Sequence, residues 1–397
     1  MSYKNIYILG VGGSGMSSIA KYLKQKGDNV IGYDQRKSYV TNLLNQDGIK
    51  VVHTLDEITY KPHSLYIYSS AIPIESDRFE DFHDKENVLS RPEYLKNLSE
   101  NHKIIGITGT HGKTSTTALL SHIFHFNNVN VSYLYGGITT FNGIGGHYGD
   151  PDQPLILETD EAFNTFEKIK ISDLLVLNVD SDHLDYFKNL DNYKDAFYKV
   201  MKNVTDNLVI NNDDLNIKSM KELKNPVSYG KDIAADFKVQ SPGTFIYENN
   251  KYEIKSDIIG DHFKANMLGA IILALLNGIE IKDSLNAIES FAGVKRRIEL
   301  IGISKGVLIY DDYGHHPTEM EATITALKQQ TESKLYVVFQ PHRYTRTMEY
   351  FNSFKDSLKL ADFAIVTDIY PAGESPIPGI SSKNFEEESI KYLKSIR

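Results

Sequence analysis

The sequence predicts an α/β protein built as three successive strand-and-helix units, and three observations predict it. Glycine-rich turns follow apolar strands twice, at Gly10–Gly15 and at Gly109–Gly112. Short β-branched runs alternate with amphipathic stretches along the whole chain, the pattern of sheets with helical crossovers. And 397 residues are enough for two or three separately buried cores.

Bulk properties bound the function. Apolar residues make up 41% and charged residues 24%, with a net charge of −9. That acidity argues against a nucleic-acid surface, which needs a basic face. Cysteine is absent, which excludes disulfides and thiolate metal sites. MSYKNIYILG opens a strand and lacks the layout of a signal peptide. The longest apolar run, near AIILALLNGI, is too short to span a bilayer. A cytoplasmic enzyme with no membrane partner is the expectation.

The first unit, residues 1–100, opens with a βαβ signature. NIYILG reads as a strand, GVGGSGMSSIAKYLKQKG as a glycine loop feeding a helix, and NVIGYD as a second strand ending in Asp34. Gly10-x-Gly12-x-x-Gly15 is a dinucleotide-type fingerprint, and Asp34 stands where a ribose-binding carboxylate is expected. NAD(P), FAD and UDP-sugars all fit such a Rossmann-like crevice. Further strands are read at KVVHT and LYIYSSA, and the polar stretch 90–103 as a linker.

The second unit, 101–292, centres on IIGITGTHGKTSTT. Ile104, Ile105 and Ile107 read as a buried strand, Gly109-Thr110-His111-Gly112 as a turn, and Lys113-Thr114 as the start of a helix. This is a phosphate cradle. Glycines let backbone N–H groups curl around an anion, the helix start adds donors, Lys113 reaches β/γ-phosphates, and the Thr114 hydroxyl suits Mg²⁺. Ile107 occupies the place of the first glycine of the strict pattern, so the loop is a shortened TGTxGKT variant. Strands at PLILE, LLVLNV and NLVIN place Glu158, then Asp160-Glu161, and the group Asn178, Asp180, Asp182 and His183 near strand carboxyl ends. Carboxylates and an imidazole there suit a metal site beside phosphates, the alternative being a solvated acidic loop. NMLGAIILALLNGI reads as a core helix.

The third unit, 293–397, repeats strand-then-cluster. GVLIYDDYGHHPTEM runs from a strand into a two-histidine turn and a helix starting at Pro317. KLYVVFQPHRYTRT reads as a buried strand ending at Phe339, followed by His342, Arg343, Tyr344 and Arg346. Such clusters past strand ends bind anions or act in catalysis. Three strand-end sites suit an enzyme that closes around ATP and a second, acidic substrate.

Together these residues resemble the Mur ligases, the ATP-dependent amide-bond enzymes of peptidoglycan precursor synthesis. GVGGSGMSSIA, SSAIP, TGTHGKTSTT, Asp182-His183, GVKRR, DDYGHHPTE, QPHRYTRT and YPAGESPIPG occur in the family's order through essentially the whole chain. PHRYTRT and DDYGHHP point to its alanine-adding branch. The resemblance implies three domains: a Rossmann-like N-terminal one, a central P-loop ATPase-like one with a mostly parallel sheet, and a C-terminal Rossmann-like α/β one. It implies that Gly12, Gly13, Ser14, Gly15, Asp34 and Ser69 hold UDP-N-acetylmuramate. Gly109, Thr110, His111, Gly112, Lys113, Thr114, Ser115 and Asp312 would hold ATP, with Thr114, Glu158 and His183 on Mg²⁺ or Mn²⁺. Arg297 would reach the γ-phosphate, and Tyr313, His342, Arg343 and Arg346 would hold L-alanine. Lys113, His183, Arg297 and His342 would carry catalysis, in a monomer or homodimer. Where other branches carry a carbamoylated lysine, this chain has Phe197.

Three departures stand out. GDHFKAN puts Phe263 where the family has an asparagine near the adenine, TDEAFNTF replaces a DESDxSF-like segment, and the chain ends at Arg397, where relatives continue with another strand. Either the third unit is compact or the chain has been cut short, and a missing edge strand would loosen it. The rival readings are a murein-peptide ligase, a nucleotide-binding protein without ligase activity, and an NAD-dependent oxidoreductase, which leaves the second phosphate loop unexplained.

Overall fold

The computed structural model describes residues 3–182 and 184–394, with nothing described for the side chains of 162–164, 184 and 185. They divide into two compact units, Met1–Ser256 with Ala265–Val294, and Asp257–Lys264 with Lys295–Arg397.

The first unit holds two sheets. Strands β1 (Asn5–Leu9), β2 (Val30–Tyr33), β3 (Lys50–Val52), β4 (Ser64–Tyr68) and β5 (Val88–Ser90) form an all-parallel sheet in the order 3-2-1-4-5. In β1 every residue but Asn5 is buried, as a parallel strand covered on both faces must be. Helices α1 (Ser14–Gln25), α2 (Tyr39–Gln46) and α3 (Arg91–Ser99) accompany it.

Helix α3 corrects the linker reading of 90–103. Ser90 and Glu93 form a capping box, Ser90 N–H donating to Glu93 Oε2 at 2.7 Å, and Pro92 sits in the first turn. Tyr94 and Leu95 are buried. The S-x-x-E spacing carried the helix start, and the polar composition hid it.

The second sheet comprises β6 (Ile104–Thr108), β7 (Ser132–Thr139), β8 (Gly143–His147), β9 (Leu155–Glu158), β10 (Asp173–Val176), β11 (Asn207–Asn211), β12 (Val227–Gly230), β13 (Phe237–Ser241), β14 (Thr244–Tyr247) and β15 (Asn250–Glu253). Its order is 15-14-13-12-11-10-6-9-7-8, parallel from β13 to β7 and antiparallel at both ends. Helices α4 (Lys113–Phe126), α5 (Leu184–Phe187), α6 (Leu190–Lys202), α7 (Leu215–Lys218), α8 (Asp261–Leu276) and α9 (Ile281–Glu289) complete this stretch. Central β6 is buried throughout. Phe197 on α6 is fully buried, with Phe166 and Tyr193 rings each 5.1 Å away, so that position is core.

The two sheets are joined through α1 and the β7–β8 hairpin. Buried Lys21 of α1 donates to Asn142 O and, at 3.2 Å, to Ile144 O. Burial lowers the pKa of its ammonium. A Cβ on Gly146 would collide with Ser18 O, so only glycine allows this approach.

The second unit carries the hairpin β16 (Glu299–Ser304) and β17 (Val307–Asp311), then α10 (Pro317–Gln329), β18 (Tyr336–Phe339), α11 (Tyr344–Glu349), α12 (Phe351–Leu358), β19 (Phe363–Val366) and β20 (Ile390–Tyr392). Strands 18-19-20 make a parallel sheet whose core includes Phe339, Phe354, Val366, Phe385 and Ile390. Helix α10 starts at Pro317 as read, capped by His316 and Glu319. Strand β18 differs from its buried reading. Phe339 faces the core, while Tyr336 and Val338 are 63% and 70% exposed. An apolar run fixes a strand but not whether its second face is covered. Among the described residues, no helix is long and apolar enough to cross a membrane.

Candidate active site

The phosphate loop lies between β6 and α4, at the carboxyl end of the parallel strands, where ligands bind in open α/β sheets. Gly109 and Gly112 have φ of +144° and +85°, conformations that L side chains rarely adopt, and a Cβ on Gly112 would strike Asn266. Asn178, just beyond β10, clamps the turn. Its backbone carbonyl accepts from Thr110 N at 3.1 Å, its side-chain oxygen from His111 N at 2.8 Å, and its Nδ2 donates to His111 O at 3.0 Å. Thr110 Oγ1 accepts from Asp180 N at 2.8 Å and lies 3.0 Å from the buried Tyr193 hydroxyl. His111 Nε2 is 3.2 Å from Asp180 Oδ2.

Lys113 is held on three sides. Its ammonium donates to Gly109 O at 2.6 Å and Thr110 O at 3.1 Å, and pairs with Glu161 at 2.9–3.0 Å. Glu161 is 1% exposed. Burial alone would lower the lysine pKa, but Glu161, Asp160 and Glu158 outweigh it, so the ammonium is held above its usual value and stays charged. At the next residue, Thr114 Oγ1 donates to Glu158 Oε1 at 2.7 Å, and Gly136 N donates to the other carboxylate oxygen at 2.6 Å. A hydroxyl and a carboxylate side by side form an all-oxygen donor pair, which suits a hard cation such as Mg²⁺. Ser115 is buried in the first turn of α4, whose N-cap, Gly112, supplies no side chain to the helix donors. His183 lies outside the described residues.

At the first glycine loop, Asp34 turns inward. Its Oδ2 accepts from Gly12 N at 2.9 Å and its Oδ1 from Arg36 N at 3.0 Å, so the carboxylate shapes the loop. Gly13 caps α1 without a side-chain bond, leaving the donors of Ser14 and Gly15 at a bare helix start. Ser69 follows β4 and packs on Gly10, where a Cβ would sit 3.0 Å from its own. A cleft open to solvent runs from Ser14 and Gly15 to Glu158 and Asp160.

In the second unit, Arg297 sits between two residues of positive φ, Arg296 (60°) and Ile298 (50°). For β-branched Ile298 that conformation is strained. Asp312 offsets it, Oδ2 accepting from Ile298 N at 2.9 Å and Oδ1 from Gly314 N at 2.7 Å. The guanidinium carbons of Arg296 and Arg297 stand 4.8 and 5.4 Å from the Tyr313 ring centroid. Further along, His342 stacks on Tyr370 at 5.5 Å between ring centroids. Burial, then the Arg346, His315 and Arg343 charges, push its imidazole below the ordinary histidine value, so it is neutral at pH 7. Arg343, with φ +72°, donates Nε to Glu374 Oε1 at 2.7 Å, and Arg346 is buried.

The structure therefore brings Lys113, Thr114 and Glu158 together, then Arg297, Asp312 and Tyr313, and then His342, Arg343 and Arg346. Sequence reasoning named Glu161 and Asn178 but gave neither its role as the partner of Lys113 or the clamp of the loop. Glu374 was visible only as part of YPAGESPIPG.

The comparisons agree along the chain. Residues 5–103 match the Mur ligase family catalytic domain, 107–274 the Mur ligase middle domain, and 296–394 the Mur ligase glutamate ligase domain. The UDP-N-acetylmuramate–L-alanine ligase of Dictyoglomus turgidum is 35% identical over 98% of this chain and 86% of its own length. That of Cytophaga hutchinsonii is 33% identical over 95% and 86%. Among solved structures, the UDP-N-acetylmuramate-alanine ligase of Thermotoga maritima superposes with a TM-score of 0.81 at 24% identity, covering 98% of this chain and 90% of its own. A murein peptide ligase of Psychrobacter arcticus gives 0.71 at 22%, covering 98% and 91%. The α/β reading, with its mostly parallel sheets, holds, and the chain belongs to the Mur ligase family.

Proposed function

We propose that this chain is an ATP-dependent amide-bond ligase that joins L-alanine to the lactyl carboxylate of UDP-N-acetylmuramate, releasing ADP and phosphate. The observation that carries the reading is Lys113, locked charged by buried Glu161 beside the Thr114–Glu158 oxygen pair, in a chain that matches alanine ligases over 98% of its length.

A carboxylate is a poor electrophile, so it must first be activated. One of its oxygens bonds to the γ-phosphorus of ATP, the bond to the β,γ-bridging oxygen breaks, and ADP leaves. The alanine amine then attacks the carbonyl carbon of the acyl phosphate, loses a proton, and phosphate leaves. In both steps charge gathers on oxygen. Lys113 would neutralise it at the phosphates, and Arg297 would take the same role. Thr114 and Glu158, with His183, would hold a divalent cation, which supplies Lewis-acid stabilisation of phosphoryl oxygens when bound. Arg343 and Arg346 would clamp the alanine carboxylate, and neutral His342 can accept a proton near the amine. Gly12 to Gly15, Asp34 and Ser69 would seat the sugar nucleotide, Gly109 to Ser115 with Asp312 would seat ATP, and Tyr313 would help hold the amino acid. A division at 1–100, 101–292 and 293–397 and a cytoplasmic location belong to the same proposal.

The test is phosphate release from ATP and UDP-N-acetylmuramate with L-alanine, glycine, L-serine or a peptide added in turn. Release that depends on L-alanine is expected. Release with the peptide alone would favour a murein-peptide ligase, and no release with any acceptor overturns the ligase reading.

A further inference from the structure

Arg91 is a weakly paired cation inside the cleft of the first unit. Three observations say so. It occupies the first position of α3, where the helix dipole disfavours positive charge. Its acidic partner, Asp160, stands 3.8 Å from Nη1, beyond hydrogen-bond distance. Its Nε is buried and has no hydrogen-bond partner among the described residues. The guanidinium is also given room. It lies across Gly15, where a Cβ would come within 2.9 Å of Nε and 3.0 Å of Cζ. A merely structural arginine would lie out in water or close a full ion pair.

We propose that Arg91 is a substrate-binding residue, and that its guanidinium grips the carboxylate to be activated. The inference rests on the ligase reading above. The cleft runs from the bare start of α1, the natural seat of a diphosphate, to Glu158, which Thr114 ties to the phosphate loop. Arg91 lines the same cleft and pairs at 3.8 Å with Asp160, two residues beyond Glu158. A sugar nucleotide lying along the cleft therefore brings its carboxylate past Arg91 on the way to the phosphoryl donor. The planar fork of arginine suits that group, since it matches a carboxylate's two oxygens as an ammonium cannot.

The test is calorimetric binding of UDP-N-acetylmuramate, and of UDP-N-acetylglucosamine, which lacks the lactyl carboxylate, to wild-type protein, Arg91→Gln and Arg91→Lys. Arg91→Gln is expected to weaken the carboxylate-bearing nucleotide by about tenfold or more, the usual scale of a charge-assisted bond, and to leave the other nucleotide and ATP unchanged. Arg91→Lys should recover part of the loss. Equal weakening of both nucleotides would place the contact on the diphosphate and overturn the proposal, and so would unchanged binding of both. Arg91→Lys keeps the charge and covers the case in which Arg91→Gln fails to fold. If wild-type protein binds neither nucleotide, the ligase reading itself falls. If it binds both and the variants do too, only the role of Arg91 does.

Discussion

The phosphate loop of the first unit and the basic clusters of the second hold their charged groups in opposite ways. Around Lys113 the charged groups are enclosed and paired, with Glu161 at 1% exposure and β6 buried from end to end. In the second unit Arg343 and Ile298 are held in positive-φ conformations, the Arg343–Glu374 pair is partly wet, and β17 and β18 carry apolar side chains into solvent, Leu308 at 52% and Val338 at 70%. The first region is preorganised by burial, the second by local hydrogen bonds that oppose backbone strain. Damage to the first should therefore cost fold and function together, and damage to the second should cost function alone.

The largest effect is expected at Lys113. Lys113→Ala should lower alanine-dependent phosphate release by about 10²–10³-fold or more, and should also destabilise the protein by about 3–5 kcal/mol, because buried Glu161 loses its ion-pair partner. Adding Glu161→Gln should restore stability in a denaturant titration without restoring turnover. Full stability in Lys113→Ala alone would break the comparison.

Phe197→Ala comes next. With the side chain fully buried, a loss of about 3–5 kcal/mol is expected in the same titration. A loss under 1 kcal/mol would mean that this core is loose.

Arg343→Ala should raise the KM for alanine by about tenfold or more, the scale of a lost charge-assisted bond, while shifting unfolding by under about 1 kcal/mol, since the pair is part-exposed. A large stability loss would show that the second region, too, is built by burial.

Acid should separate fold from function more gently. Burial lowers the pKa of His122 and His147 below their ordinary 6.5 in the folded chain. The unfolded chain therefore takes up protons first as pH falls, so stability is intact above about pH 6.5 and declines below it. His122→Asn should flatten that slope in melting curves recorded from pH 7.5 to 5.

The smallest effect belongs to the exposed strand faces. Val338→Thr should change stability by less than about 0.5 kcal/mol. A loss above 1.5 kcal/mol would show that this face is covered in solution.

Much of this contrast was legible in the sequence, and the illegible part has a physical cause. Ile104, Ile105 and Ile107, then the glycines and Lys113-Thr114, specify strand, turn and helix through local rules, and the structure places them so. The partner of Lys113 is 48 residues away, and the sequence alone shows only that acids follow β9. Arg91 sat in a stretch whose polarity masked a capping box. In KLYVVF the apolar run says that a strand forms, while exposure depends on neighbours contributed from elsewhere in the chain. His183 cannot enter the comparison, since it lies outside the described residues.

Lys21 changes how the chain can be taken apart. The sequence reads as modules strung end to end, with a seam near residue 100, yet an ammonium of α1 is sunk into the carbonyls of a hairpin 121 residues later. A fragment ending at the seam would leave that cation, and the glycine-lined surface around it, without the other half. The two sheets should then unfold and exchange hydrogen as one cooperative block. Any attempt to transplant the nucleotide-binding half onto another scaffold must carry residues 132–147 with it.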